Sequence, residues 1–245
     1  MSKRFKGKPC VYCSDGVAIT GDHIFAREFF LASARANLPQ APTCRECNNK
    51  KSKLEHYLVT VLPFGARHSH ARENLATMVP KRLAKNSKLQ RELATGHEHA
   101  WLRGRGAYLR SIVVPFHGEK LEALFCLIAR GLVWYHWQVY LPGDCFIQTR
   151  TVTDAGARYY DERLFKRNSR NRVRGNLGNG TFLYEGAQGV VSPIFTIWRF
   201  LVYGGAAFGG DGGDERTPAE VSSQIVVITA PNAALSSTPG PQNNE

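Results

Sequence analysis

Two cysteine pairs near the N-terminus have the spacing of a metal site. Cys10 and Cys13 form one C-x2-C pair, and Cys44 and Cys47 form a second after an interval of thirty residues. One such pair also occurs in thioredoxin-like redox units, but that motif needs a strand-and-helix context that this segment lacks. Two pairs favour four thiolates closing a tetrahedron around zinc, with no coordination position left open for catalysis. The sequence therefore predicts a structural zinc ion.

Polar residues between and after these pairs form the second chemical feature. Asp22 and His23 place a carboxylate beside an imidazole, Asn37 follows, and the second cysteine pair runs directly into Asn48 and Lys51. Each of these residues alone is most simply a polar surface residue. Their order between two metal-type cysteine pairs is what makes the segment distinctive.

Taken together, this segment resembles the HNH endonuclease family of the ββα-metal fold. The matching subgroup has C-x2-C, then Asp/Glu-His-Ile/Val, then Asn-Leu, then C-x2-C-Asn-x2-Lys-Ser, and all of these occur in order between Cys10 and about Glu55. The resemblance covers about a fifth of the chain. It implies a zinc-stabilised nuclease module with a second, catalytic metal ion.

The resemblance also implies a role for each signature residue. His23 matches the general base, which takes a proton from water at neutral pH. Asp22 and Asn48 match the ligands of the catalytic metal, and their hard oxygen atoms favour Mg²⁺ or Mn²⁺ over Ni²⁺ or Zn²⁺. Asn37 matches the residue that orients the imidazole of His23.

Basic residues provide candidate phosphate contacts in two places. Beside the second cysteine pair we expect contacts from Lys51, Arg45 and Lys50, although Glu55 could instead pair with Lys51 at the i,i+4 spacing. A second cluster between residues 163 and 174 includes Arg167 and Arg170. This cluster is either a DNA-contacting surface or a solvated loop.

Composition is consistent with a polyanionic partner. The chain of 245 residues has 32 Lys and Arg against 20 Asp and Glu, a formal charge of +12, as expected for a protein that approaches polyphosphate. The apolar segment from Leu121 to Trp137 is interrupted by charged residues, so no membrane span is predicted. No secretory signal is visible, and we expect a cytoplasmic protein with reduced cysteines.

The patterning along the chain predicts an α+β protein in four parts. Residues 1–66 form the HNH module, 67–118 a basic helical connection, 119–230 an accessory lobe with helix and antiparallel sheet, and 231–245 a disordered tail. In the connection, Pro80 should break the helix or begin its second half. In the lobe, a core helix should end near Gly131. Four β-branched and aromatic runs then predict strands, at 146–152, 180–185, 195–203 and 223–229.

These observations lead to one main functional hypothesis and two alternatives. The main one is a metal-dependent endonuclease that hydrolyses DNA phosphodiester bonds. One such site cuts one strand, so a double-strand break would need a dimer or a second event. The partners expected besides DNA are a second copy of the chain, as a homodimer, or another protein partner. The first alternative is a zinc-ribbon module that binds nucleic acid without catalysis. The second is a nuclease that acts on RNA.

Overall fold

The structure is a computed structural model that describes residues 4–13, 15–104, 107–205 and 224–232. Across these ranges the chain combines α-helices with antiparallel sheets, which confirms the mixed class predicted from the sequence. The predicted disordered tail, residues 231–245, and the glycine-rich segment 204–213, which is expected to be a connector, lie largely outside the described residues.

The N-terminal segment folds as two strands followed by a long helix. Strand β1 (Thr20–His23) pairs antiparallel with β2 (Gln40–Thr43), and helix α1 (Arg45–Val61) follows at once. Cys44 is the N-cap residue of α1, since its sulfur accepts a hydrogen bond from the backbone amide of Cys47. The second cysteine pair is therefore fixed to the first turn of the helix, where free backbone amides need a partner.

The predicted helical connection contains three short helices and, in addition, a β-hairpin that the sequence did not predict. The elements are α2 (Ser69–Thr77), α3 (Val79–Lys85), α4 (Ser87–Thr95), β3 (Glu98–Gly104) and β4 (Ala107–Val113). Pro80 lies in the first turn of α3, as predicted, because a proline there costs no helical hydrogen bond.

Helix α5 (Gly118–Trp137) is the central core helix. The prediction that it ends near Gly131 was wrong, since the helix continues for six further residues. Gly131 has a packing role instead: a Cβ atom there would lie 3.0–3.3 Å from three side-chain atoms of Ile24. The glycine thus lets α5 approach the segment that follows β1.

A five-stranded antiparallel sheet forms most of the C-terminal part. Its strands are β5 (Phe146–Val152), β6 (Arg172–Leu177), β7 (Phe182–Gln188), β8 (Thr196–Val202) and β9 (Gln224–Ala230), in the order β5-β9-β8-β7-β6. Helix α6 (Asp154–Tyr160) continues into further helical turns up to Asn171. Four of the strands match the predicted runs to within three residues. Strand β6 was not predicted, because its arginine-rich sequence suggested a loop.

One hydrophobic core joins the N-terminal segment to this sheet. Phe25 lies 4.5 Å from Phe182 between ring centroids, and Phe125 of α5 stacks beside the same ring. The buried hydroxyl of Tyr203 donates a hydrogen bond to the carbonyl of Phe29. The same cluster of buried residues runs from Phe5 to Val227, so the ββα segment is anchored on the sheet through α5.

None of the described helices combines the length and the apolar character needed to cross a lipid bilayer.

The contact at Gly131 gives a stability prediction. We expect Gly131→Val to lower the free energy of unfolding by about 1–3 kcal/mol, because the added carbons overlap Ile24 in a packed core. The measurement is urea unfolding of the variant against the wild type.

Gly118→Val is the matched control, since a Cβ at Gly118 meets no atom within 4 Å. Equal destabilisation by both variants would contradict the packing role of Gly131.

Candidate functional site

The four predicted zinc ligands come together at the start of α1. The sulfur atoms of Cys10, Cys13, Cys44 and Cys47 all lie within 4.8 Å of one another, and those of Cys13 and Cys44 are 3.9 Å apart. A tetrahedral zinc ion with bonds of about 2.3 Å separates its sulfur ligands by about 3.8 Å. The donor set and its spacing therefore fit a metal ion such as zinc. The predicted clustering of the four cysteines is confirmed.

Gly16 closes the loop of the first cysteine pair against the second. Its carbonyl accepts a hydrogen bond from the amide of Cys10. A Cβ atom at Gly16 would lie 2.8 Å from the sulfur of Cys13 and 3.0 Å from that of Cys44. Only glycine allows the backbone to approach the thiols this closely.

Beside the cysteine cluster, a buried lysine joins β1 to α1. Lys51 is completely buried, and its ammonium group lies 2.9 Å from Oδ2 of Asp22 and contacts Glu55. It also donates a 2.7 Å hydrogen bond to the backbone carbonyl of His23. Three partners match the three hydrogens of an ammonium group, so this buried charge is fully satisfied.

This arrangement corrects the predicted phosphate contact of Lys51. A side chain with no exposed surface and three internal partners cannot reach a substrate phosphate in this conformation. The alternative pairing of Lys51 with Glu55 is the one present in the structure.

Tyr12 completes the surroundings of the Asp22 carboxylate. Its hydroxyl donates a 2.9 Å hydrogen bond to Oδ2, the same oxygen that Lys51 contacts. Within the described residues no hydrogen bond reaches Oδ1, so that oxygen is the one left for a further ligand. Sequence reasoning did not identify Tyr12, although its place between the first two cysteines puts it next to the four-cysteine cluster.

The imidazole of His23 is half-buried and contacts β2. Its Nε2 atom lies 3.0 Å from the side-chain amide nitrogen of Gln40, the residue opposite His23 in the antiparallel register. Burial lowers the pKa of His23, and the charges of Arg27 and Lys51 act in the same direction while Asp22 opposes them. A lowered pKa keeps the ring neutral at pH 7, which is the state that a general base requires.

Asn37 is placed differently from its predicted role. It is exposed and adopts a left-handed backbone conformation with φ of 55° in the turn before β2. Among the described residues it is Gln40 that contacts the His23 ring. The strand register would have identified Gln40, but the sequence alone does not give that register.

Asn48 lies half-buried in the first turns of α1. It precedes Lys51 by three residues and so lies on the same face of the helix, one turn closer to the cysteine cluster. This is the face that packs against Asp22. The two predicted ligands of the catalytic metal therefore belong to facing elements.

The remaining predicted nucleic-acid contacts divide into two regions. Arg45 and Lys50 are exposed on the first turns of α1, where Lys50 pairs with Glu46. Arg167, in the helical turns that precede β6, is exposed. The side chain of Arg170 is not among those that the structure describes. Arg172 of the same cluster is held by Glu185 in an ion pair.

Two cavities differ in their relation to this chemistry. The larger, about 490 Å³, lies over the sheet and is lined by Arg174, Glu185 and Arg199 among others, but by none of the predicted catalytic residues. The smaller, about 160 Å³, also contains none of the predicted catalytic residues, but it is lined by Glu55, which contacts Lys51. The smaller cavity is therefore the one of the two that borders the candidate site.

Comparisons of this chain with protein-family models, with curated proteins and with solved structures found no match.

The cysteine cluster gives a prediction about metal content. We expect Gly16→Ala to reduce zinc retention, because the added methyl group separates the thiols of Cys13 and Cys44. Zinc per chain is measured by plasma mass spectrometry after dialysis against a chelator.

Gly118→Ala serves as the control for this substitution, since it adds the same methyl group in open space. Full zinc retention in Gly16→Ala would show that the thiols do not hold the metal as described.

The buried lysine gives a prediction about stability. We expect Lys51→Met to lower the free energy of unfolding by about 3–5 kcal/mol, because Asp22 and Glu55 are left without their buried cationic partner. Chemical denaturation of the zinc-loaded protein measures this loss.

The neighbouring Lys50→Met is the control, because Lys50 makes the same i,i+4 type of pair on the exposed surface. The account of Lys51 fails if both variants unfold at the same denaturant concentration.

Proposed function

We propose that this protein is a metal-dependent HNH endonuclease that hydrolyses phosphodiester bonds in DNA. The observation that carries the proposal is the position of the Asp22-His23 pair. It lies on a strand that is registered against a second strand and packed on a helix carrying Asn48, next to four clustered cysteines. This order of two strands and a helix is the one that the resemblance implies.

In this proposal His23 is the general base. Its neutral ring takes a proton from a water molecule as the water oxygen attacks phosphorus. The bond from phosphorus to the 3′ oxygen breaks and that oxygen takes a proton from water, which leaves a 5′-phosphate and a 3′-hydroxyl. A general base needs a ring nitrogen with a free lone pair. Gln40 would therefore hold the ring with its amide flipped, so that its side-chain oxygen accepts a hydrogen bond from Nε2–H and Nδ1 takes the proton. The resemblance assigns this orienting task to Asn37.

Asp22 and Asn48 would hold the catalytic divalent ion through Oδ1 and the side-chain carbonyl. Mg²⁺ or Mn²⁺ suits two neutral or anionic oxygen donors and keeps water in its other positions. When bound, such an ion stabilises the negative charge that develops on the phosphate and the leaving oxygen. Lys51 contributes by fixing Asp22 on one side, so that the carboxylate is already oriented.

Arg45 and Lys50 are the residues of this segment that we propose for contact with neighbouring phosphates. Both are exposed on the first turns of α1. The net charge of +12 favours association with a polyanion but does not distinguish DNA from RNA. Competition between duplex DNA and single-stranded RNA tests that choice.

A zinc-ribbon binding module without catalysis is the second candidate. One observation favours it: Asp22 already has a cationic partner in Lys51 and a hydrogen bond from Tyr12. A carboxylate with two internal partners can have a purely structural role. The two candidates differ in whether loss of the His23 imidazole abolishes turnover.

Plasmid cleavage tests the proposal. With Mg²⁺ or Mn²⁺ the wild type should nick supercoiled plasmid, and His23→Ala should lower the rate by about 10²–10⁴-fold while DNA binding persists, since a general base contributes about that factor.

His97→Ala is the matched control, because His97 is exposed and lies in the loop after α4. If the zinc-loaded wild type binds plasmid but cuts it with neither metal, or if His23→Ala cuts as fast as His97→Ala, the nuclease assignment is incorrect.

A further inference from the structure

The described side chains of the β-hairpin formed by β3 and β4 lie outside the hydrophobic core. Neither cluster of packed apolar side chains includes any of these described residues, which are Glu98, His99, Trp101, Arg110, Ile112 and Val113. Val114 and Phe116, which follow the hairpin, pack against the main cluster. A two-stranded ribbon is only marginally stable when nothing covers it. Its exposed side chains are therefore candidates for contact with another molecule.

One face of this ribbon carries aromatic, apolar and cationic side chains together. Trp101 is directly opposite Arg110, and His99 is opposite Ile112. Because side chains alternate along a strand, all four point to the same side of the ribbon. Trp101 is 58% exposed and Ile112 is 65% exposed, and His99 and Arg110 are also exposed.

The charge of the segment indicates the kind of partner. Residues 98–113 contain three arginines, Arg103, Arg105 and Arg110, and a single acidic residue, Glu98. Helices α3 and α4, which precede the ribbon, add further lysines and arginines. Two such ribbons placed face to face would bring like charges together, whereas a polyanion complements them.

We propose that this face, defined by His99, Trp101, Arg110 and Ile112, binds duplex DNA. The major groove is about 12 Å wide and admits a two-stranded β-ribbon. Seven-residue strands at about 3.4 Å per residue extend about 24 Å, roughly two thirds of one turn of the duplex. Arg110 contacts a phosphate, while Trp101 and Ile112 contact the apolar sugar and base edges.

The choice of DNA rests on the proposed function, but binding is measured separately from cleavage. Fluorescence anisotropy with a labelled 25-base-pair duplex, without added divalent ion, gives the association constant at several NaCl concentrations. We expect Arg110→Ala to reduce the slope of log K against log salt by about 0.9, the effect of one lost phosphate contact. We expect Trp101→Ala to weaken binding about five- to tenfold, as for other aromatic contacts to nucleic acid.

Arg150→Ala is the matched control, because Arg150 is an exposed strand arginine on β5, outside the ribbon. Because all of these side chains are exposed, the variants should keep the wild-type circular dichroism spectrum and zinc content. The proposal is overturned if Trp101→Ala and Arg110→Ala bind like Arg150→Ala. It is also overturned if they bind DNA normally but change the sedimentation mass from dimer to monomer, since the face would then contact a second copy of this chain.

Plasmid cleavage at saturating protein separates this inference from the proposed function. If wild type binds through the ribbon yet never cuts, the nuclease proposal fails and the ribbon proposal stands. If wild type cuts and the ribbon variants bind and cut equally well at subsaturating protein, the ribbon proposal fails alone.

Discussion

The buried ammonium group of Lys51 is the interaction on which the candidate site depends. It links the Asp22 carboxylate and the His23 carbonyl on β1 to Glu55 one turn further along α1. Removing a charge from water is costly, and the cost is repaid only when geometry and partners are complete. Here the three donors and three acceptors match, so the strand and the helix are fixed relative to each other where the chemistry is proposed.

The cysteine cluster and the hydrophobic core both help to hold β1 against α1, where Lys51 joins them. The second cysteine pair caps α1 and brings the first pair against it, while Ile24, next to His23, packs on Gly131 of α5. The ββα segment is too small to bury much apolar surface by itself. The four-cysteine cluster on one side and the shared core on the other fix the position of Asp22 and His23.

The sequence predicted local features more successfully than contacts between distant segments. The cysteine spacing predicted the four-thiol cluster, and the position of Pro80 predicted a helix start, because both depend on neighbouring residues. The register that places Gln40 against His23 depends on strand pairing across a sixteen-residue connection. The burial of Lys51 depends on tertiary packing, which overrides the usual exposure of a lysine. Strand β6 was missed for a similar reason, since its Arg172 is accommodated by an ion pair with Glu185 that the sequence does not reveal.

The central claim is that Asp22 and Asn48 form a binding site for a divalent ion beside a neutral His23. Calorimetric titration of the zinc-loaded protein with Mn²⁺ tests it most directly. The account predicts one Mn²⁺ ion bound per wild-type chain, and loss of that binding in Asn48→Ala, which leaves the ion pairs of Lys51 in place. Equal Mn²⁺ binding by the two proteins, or none by the wild type in the presence of DNA, would contradict it.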